Sequence, residues 1–460
     1  MNYILVLTAF VGWLQLLPNE ISVLTISTLA AVRFVYNVDR RPAVLEIAGL
    51  IAVLQFALAA VLMYRIGNEH AKYHMYVDEA TYFSFAIPAT SCFLFGLFSQ
   101  FFGAIPKVKI PTPRISLNSL GIAFVIIGFC CSVTEKYAPA QLGFVFHLLA
   151  QLRYVGVLYL YFNRSTVRWH ATGLVTLSLM IATTRSGMFH ELLLWGTLLP
   201  TFYFLGRPPS MRLKILFVSV LIGVVSTIQL AKHEYRQLLW SGRTPSFSAV
   251  VLNCLARENA FGSEWREAFI VRINQGWIVS AAMNHVPAQL DFANGKTIKE
   301  AVVAALVPRI LNSNKRTATA SENTEEYTGL EIWGNTSMGL SPLGEAYVNF
   351  GQLGGCGVML CFGLILNAIY HWLVRLGHTD QYFLFVIPLV FLQAIKMETE
   401  FLTVFNHLTK SSVLVIGLYY LFIRDQRSSK RSGRAHVRGT GRSQYSARSS
   451  RVASMRTTVR

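Results

Sequence analysis

The sequence predicts an all-α polytopic membrane protein, about twelve transmembrane helices with one large loop outside, and three observations carry that reading. Apolar segments near the roughly 20 residues that a helix needs to cross a hydrocarbon core recur along most of the chain. Composition agrees: 53% of the 460 residues are hydrophobic and 14% are charged, against about 25% charged in soluble domains. A single long polar stretch, Lys232 to Ser341, interrupts the series.

The first apolar stretch, Asn2 to Leu17, has no basic n-region and no small-residue cleavage site before Pro18, so it reads as a retained helix rather than a cleaved signal. Ala43 to Tyr64, Tyr82 to Ala104, Leu142 to Phe162, the nearly fused pair Trp169 to Thr183 and Met188 to Leu205, Leu353 to Leu376 and the short Tyr382 to Ile395 follow as spans. The organisation is 1–231, spans one to nine; 232–342, the large loop; 343–423, spans ten to twelve; and 424–460, a basic tail. No internal repeat appears, and neither half mirrors the other.

Net charge is +18, and more than half of it sits between Arg424 and Arg460, where Asp425 is the only acid. That tail of Ser, Arg and Gly has too little apolar surface to offset chain entropy and is expected to be disordered. It reads as a cytoplasmic anchor against anionic lipid rather than as a nucleic-acid arm. Short connections carry Arg40 and Arg41, Lys107, Lys109 and Arg114, Arg164 and Arg168, Arg207, Arg212 and Lys214, and Arg375, in alternation. Cytoplasmic loops are enriched in Lys and Arg, so both termini are expected inside and the long loop outside.

Within that loop, Ser263 to Met283 carries Ile270, Ile273, Trp277 and Ala281 at helical spacing, and Lys299 to Val307 ends at Pro308. Both can lie flat at the membrane interface. The polar run from Asn312 to Gly329 reads as a mobile lid or disordered connection. Five of six cysteines lie in apolar segments and Cys254 stands alone in the loop, so no disulfide framework follows.

No HExxH, paired CxxC, Walker loop or DxD-like acidic pair is present, so neither a metal nor a cofactor is expected. Arginines stand at helix ends instead. Arg185, in Thr183-Thr184-Arg185-Ser186-Gly187, is held at the outer boundary of the bilayer; it either snorkels to headgroups or binds an anionic lipid-linked substrate. Arg153, mid-span, either pairs with an acid such as Glu46 or Glu191 or meets substrate. In the loop, Arg257, Arg266, Arg272, Arg309, Lys315 and Arg316 are candidates to clamp a pyrophosphate, Arg309 foremost because Pro308 fixes where it emerges. The run Gly344-Glu345-Ala346-Tyr347-Val348-Asn349-Phe350-Gly351 opens the tenth span. It presents an acid, a phenol and an amide, as either the edge of an active site or a glycine-packed helix start. His190 and His285 are further proton carriers on this side.

With these features the chain resembles the bacterial oligosaccharide repeat-unit polymerases, the O-antigen and exopolysaccharide polymerase (Wzy-type) family. The likeness rests on the span count with one dominant loop, on Pro308-Arg309-Ile310-Leu311 followed by Lys315, and on the Gly344 to Gly351 run. Arg185 with Gly196 is also similar to an R-x10-G pattern of some members; Arg266 reaches Gly276 one residue early, so a second copy is missing. The resemblance covers Asn2 to Ile423 as architecture and short motifs. It implies a GT-C-like, metal-independent glycosyltransferase at the outer face of the bacterial inner membrane, joining undecaprenyl-pyrophosphate-linked oligosaccharide units. Partners implied are that lipid-linked glycan, membrane lipid, and a chain-length regulator and flippase of the same pathway. Arg185 and Arg309 would stabilise the pyrophosphate, Glu345 would serve as base, and Tyr347 and Asn349 would hold sugar hydroxyls. An O-antigen ligase and a carrier or flippase are the competing readings.

Overall fold

The structure, a computed structural model, describes residues 2–66, 73–103, 108, 118–139, 142–241, 243, 245–257, 262–307, 320–332 and 338–424. Among these, all regular structure is helical. In chain order the helices are α1 (Asn2–Trp13), α2 (Asn19–Asn37), α3 (Val44–Ile66), α4 (Glu79–Phe98), α5 (Asn118–Tyr137), α6 (Gly143–Phe162), α7 (Arg168–Ser186), α8 (His190–Gly206) and α9 (Met211–Trp240). Then come α10 (Phe247–Leu255), α11 (Ser263–Ile273), α12 (Gly276–His285), α13 (Lys296–Leu306), α14 (Ala320–Thr328), α15 (Ser341–Thr379), α16 (Tyr382–Phe391) and α17 (Phe401–Leu418). Residues 1–409 form one compact unit and Lys410–Arg460 a second, whose described part is helical.

Among the described residues, seven helices are long and apolar enough to cross a membrane: α3, α4, α5, α6, α9, α15 and α17. Twelve spans are the sequence expectation. The difference comes from elements such as α7, whose Arg168, His170, Thr172, Thr183, Thr184 and Arg185 dilute its hydropathy, and from α1 and α16, which are apolar but short. On α9, Leu213, Ile215, Leu216, Val220, Ile222 and Val224 are all exposed. A continuous apolar face of that kind suits lipid rather than water.

The centre of the molecule is the parallel pair α4 and α15. Gly96 and Gly363 let their backbones touch, since a Cβ on Gly96 would run into the Leu360 carbonyl and one on Gly363 into the Phe93 carbonyl. Phe93 stacks on Phe362 with centroids 5.5 Å apart, and Asn367 Nδ2 donates to the Ser99 carbonyl at 2.9 Å, closing the far end.

α15 is kinked at Gly351, whose φ of 64° is open to glycine and strained for other residues. The break frees the carbonyls of Val348 and Asn349, which accept from Ala293 N (3.0 Å) and Asn294 N (3.1 Å). The connection before α13 therefore locks the kink by satisfying its orphaned acceptors. A similar exchange fixes α3, where a π turn over Leu54–Leu58 leaves the Gln55 and Phe56 carbonyls to accept from Gln275 N (3.1 Å) and Tyr82 OH (2.7 Å).

The large loop differs from expectation in three places. α9 continues through Lys232 to Trp240, so the first charges of the polar stretch ride on a helix. Ser263 to Met283 is two helices, broken where Asn274 Oδ1 caps Gly276 N at 2.8 Å and Gln275 turns to Gln55. α12 does not lie flat at an interface: residues 276–283 are all buried, and Trp277 meets Tyr73 edge-on at 5.1 Å. The run expected to be mobile contains α14, with Asn323, Thr324 and Tyr327 buried; 308–319 and the tail 425–460 lie outside the described residues.

Candidate functional site

α16 stops at Phe391, and 392–400 runs on as turns and bends before α17 begins. This non-helical stretch carries Lys396, Glu398 and Glu400 in five residues, with Met397 at φ 56°. Backbone in such a conformation persists only where its surroundings fix it. Here Glu345 Oε2, fully buried, accepts from Phe401 N at 2.8 Å, giving the first turn of α17 a carboxylate from α15. Asn323 Nδ2 donates to Glu400 Oε2 at 2.7 Å, and His407 Nε2 lies 2.8 Å from the Leu389 carbonyl. The segment is thus anchored from α14, α15, α16 and α17.

Charged groups from three other helices face it. His190 and Glu191 start α8, Lys232 and Arg236 lie near the end of α9, and Arg272 lies near the end of α11. Lys396 is within electrostatic reach of Glu398, Glu191 and His190, while Lys232 is within reach of Arg272, Arg236 and Glu398. His190 and Glu398 are exposed to solvent. Yet surrounding protein is the main influence on Glu398, raising its carboxyl above the ordinary range against the pull of Lys396 and Lys232. These groups gather round 392–400 as one solvent-facing charged cluster, termed the recess. In the same recess burial lowers the Lys396 ammonium, with Glu398 and Glu191 opposing.

Four cations (Lys232, Arg236, Arg272, Lys396) therefore face two carboxylates (Glu191, Glu398). Among the described residues, Lys232, Arg272 and Lys396 have no carboxylate within 4.0 Å. Cations held close together without direct counter-ions are a site for a polyanion, and a carboxylate with a raised proton affinity among them suits proton transfer.

Of the sequence candidates, Arg272 is brought into the recess. Arg185 is exposed on a backbone segment pinned to α9, where Tyr235 OH donates to the Thr184 carbonyl at 2.7 Å and Gly187 abuts the Arg236 side chain. Arg257 forms an exposed ion pair with Glu234 at 2.6 Å, and Arg266 is exposed on α11. Tyr347 is buried between Phe85 and Phe292, its OH 3.4 Å from the Val286 carbonyl. Asn349 is fully buried and donates to Thr297 Oγ1 and the Glu345 carbonyl, both at 2.7 Å. Glu345, Tyr347 and Asn349 thus have the geometry of positioning residues. Arg309, Lys315 and Arg316 lie outside the described residues. Arg153 is buried against Tyr154 and Phe129, while Glu46 pairs with Arg41.

Sequence reasoning passed over Lys396, Glu398, Lys232 and Arg236. The available signal was Lys396-Met397-Glu398-Thr399-Glu400, three charges in five residues between two apolar stretches, one of them too short to span.

No curated protein and no solved structure matches this chain. Residues 57–415, which include every residue of the recess, match the family described as Domain of unknown function (DUF8712), and the chain belongs to that family.

Proposed function

We propose that the protein is a membrane-embedded glycosyltransferase that elongates a glycan carried on undecaprenyl pyrophosphate. The observation that carries the reading is the set of Lys232, Arg236, Arg272 and Lys396 facing Glu398 in one recess. An acceptor sugar hydroxyl attacks the anomeric carbon of the donor. The carbon–oxygen bond to pyrophosphate breaks, the pyrophosphate leaves with the electron pair, and the hydroxyl proton passes to the Glu398 carboxylate. The four cations stabilise the charge that develops on the leaving group, which is strongest in a site shielded by protein. No nucleotide is needed, because the donor arrives activated.

In this reading the chain has a GT-C-like arrangement of about twelve spans in a bacterial inner membrane. Its termini are cytoplasmic and the recess opens on the outer side, where Arg185 and Arg309 guide the lipid pyrophosphate. Glu345 acts through α17, by holding the segment that carries Lys396 and Glu398. Ligation to a lipid A core uses the same donor chemistry, and a gene knock-out reads the two apart: loss of a polymerase leaves a single repeat unit on the surface, loss of a ligase leaves none. One feature favours a second reading: α16 is a broken helix followed by charged irregular backbone, the build of many carrier sites.

Purified protein given a synthetic lipid-linked repeat unit separates the two. Longer glycans on the lipid without ATP, lost in Glu398→Gln and Lys396→Ala, are expected. Movement of the substrate across vesicles without elongation would replace polymerase by carrier.

A further inference from the structure

A second pocket lies at the other end of α15, roughly 35 Å along the helix from Glu345. It is a cavity of about 410 Å³, within the range of small-molecule sites, between the ends of α2, α4 and α15. Arg33 and Arg41 line it and share one carboxylate, since both reach Glu46 Oε1. Two cations on one acid leave a net positive charge. Arg40 adds a third cation near the rim, stacked on Tyr36 at 3.5 Å. On the α15 side the pocket is lined by His371, which is 5% exposed and whose Nε2 has no partner among the described residues. A buried ring nitrogen left without a hydrogen bond on a cavity wall is costly unless something entering the cavity meets it.

The mouth has the opposite character. Ile4 of α1 and Val32 and Tyr36 of α2 line the pocket and are 44%, 62% and 57% exposed, so apolar surface leads outward from a cationic interior. A free anion would use only the interior; a lipid uses both. We infer that this pocket binds one anionic phospholipid, with its phosphodiester between Arg33, Arg41 and His371 and its acyl chains over Ile4, Val32 and Tyr36. The site is separate from the recess and holds whether or not the recess takes a pyrophosphate. A zwitterionic lipid is disfavoured because its cationic headgroup would meet the arginines.

The test uses the full chain purified in detergent, with lipid retention followed by native mass spectrometry on titrating phosphatidylglycerol and phosphatidylcholine. Phosphatidylglycerol is expected to be retained about tenfold more strongly. Arg33→Gln is expected to bring that preference to about twofold, and His371→Leu, which loses a contact to the phosphodiester that both lipids carry, to weaken phosphatidylglycerol retention itself about fivefold. His371→Leu removes a nitrogen that makes no protein hydrogen bond, so it remains informative if Arg33→Gln fails to fold. Inorganic phosphate at millimolar concentration is expected to leave the lipid in place. Equal retention of the two lipids, undiminished phosphatidylglycerol retention in His371→Leu, or displacement by inorganic phosphate would each overturn the inference.

Discussion

Glu345 separates two physical roles, because substitution by glutamine and by alanine changes different things. Its Oε2 accepts the amide of Phe401 at 2.8 Å inside the protein, where water cannot replace it. Alanine leaves that N–H buried without an acceptor. A buried donor left without its acceptor costs about 1–3 kcal/mol, so a loss of about 2 kcal/mol is expected, equivalent to about a 30-fold fall in the equilibrium constant that holds 396–401 in place. Glutamine keeps an oxygen in the same position to accept the Phe401 amide, so turnover within about fivefold of the parent is expected. The assay is the initial rate of glycan elongation on a lipid-linked repeat, read beside the thermal midpoint in detergent. Glu345→Ala should lower both, and Glu345→Gln should largely rescue both. If Glu345→Gln abolished turnover with the thermal midpoint unchanged, Glu345 would be the proton acceptor itself and the positioning argument would fail.

Three further expectations follow from the geometry. The proposed base must be ionised and Lys396 must be protonated. Elongation should therefore rise with pH only above the ordinary carboxylate range, as the raised Glu398 carboxyl loses its proton, and fall again below the ordinary lysine range, as the lowered Lys396 ammonium does the same; a pH–rate profile flat across both limbs would remove these two residues from the chemistry. Gly351→Ala puts a Cβ at φ 64° and 3.2 Å from Phe292, so a loss of about 1–2 kcal/mol is expected, read as a lower thermal midpoint. Arg257→Ala breaks an exposed pair with Glu234 and is expected to change stability by less than about 1 kcal/mol and leave turnover unaltered, whereas Arg272→Ala is expected to reduce turnover at least about tenfold; equal effects of the two would deny the recess its special status.

The helical class and the edges of several spans were legible because they depend on local composition. Ala43 to Tyr64 became Val44–Ile66, Leu142 to Phe162 became Gly143–Phe162, and the helix before Pro308 ends at Leu306. The break inside Ser263 to Met283 was not legible, because its cause is tertiary: Gln275 turns to meet a carbonyl that the π turn of α3 leaves open. α12 was also misplaced at an interface. Its apolar residues extend all round the helix, which in the folded chain means burial between α14 and α15.

For the site, the sequence pointed to arginines at helix ends and to the Gly344 to Gly351 run, but each residue had to be weighed singly. Arg272 alone is an unremarkable loop charge; it gains meaning beside Lys232, Arg236 and Lys396, which arrive from segments far apart in the chain. His190 stood out only as a lone proton carrier until the fold set it beside Lys396 and Glu191. Glu345 drew attention as an acid near glycines, and its partner, the Phe401 amide, lies beyond the whole of α15.

The most direct test is the affinity of the purified protein for a lipid-linked glycan bearing a pyrophosphate, compared with the monophosphate analogue, in the parent and in Lys232→Ala and Lys396→Ala. The parent should bind the pyrophosphate form at least about tenfold more tightly, and each variant should lose most of that difference. Equal affinity for the two lipids in the parent, or an undiminished difference in both variants, would contradict the assignment of the recess to pyrophosphate.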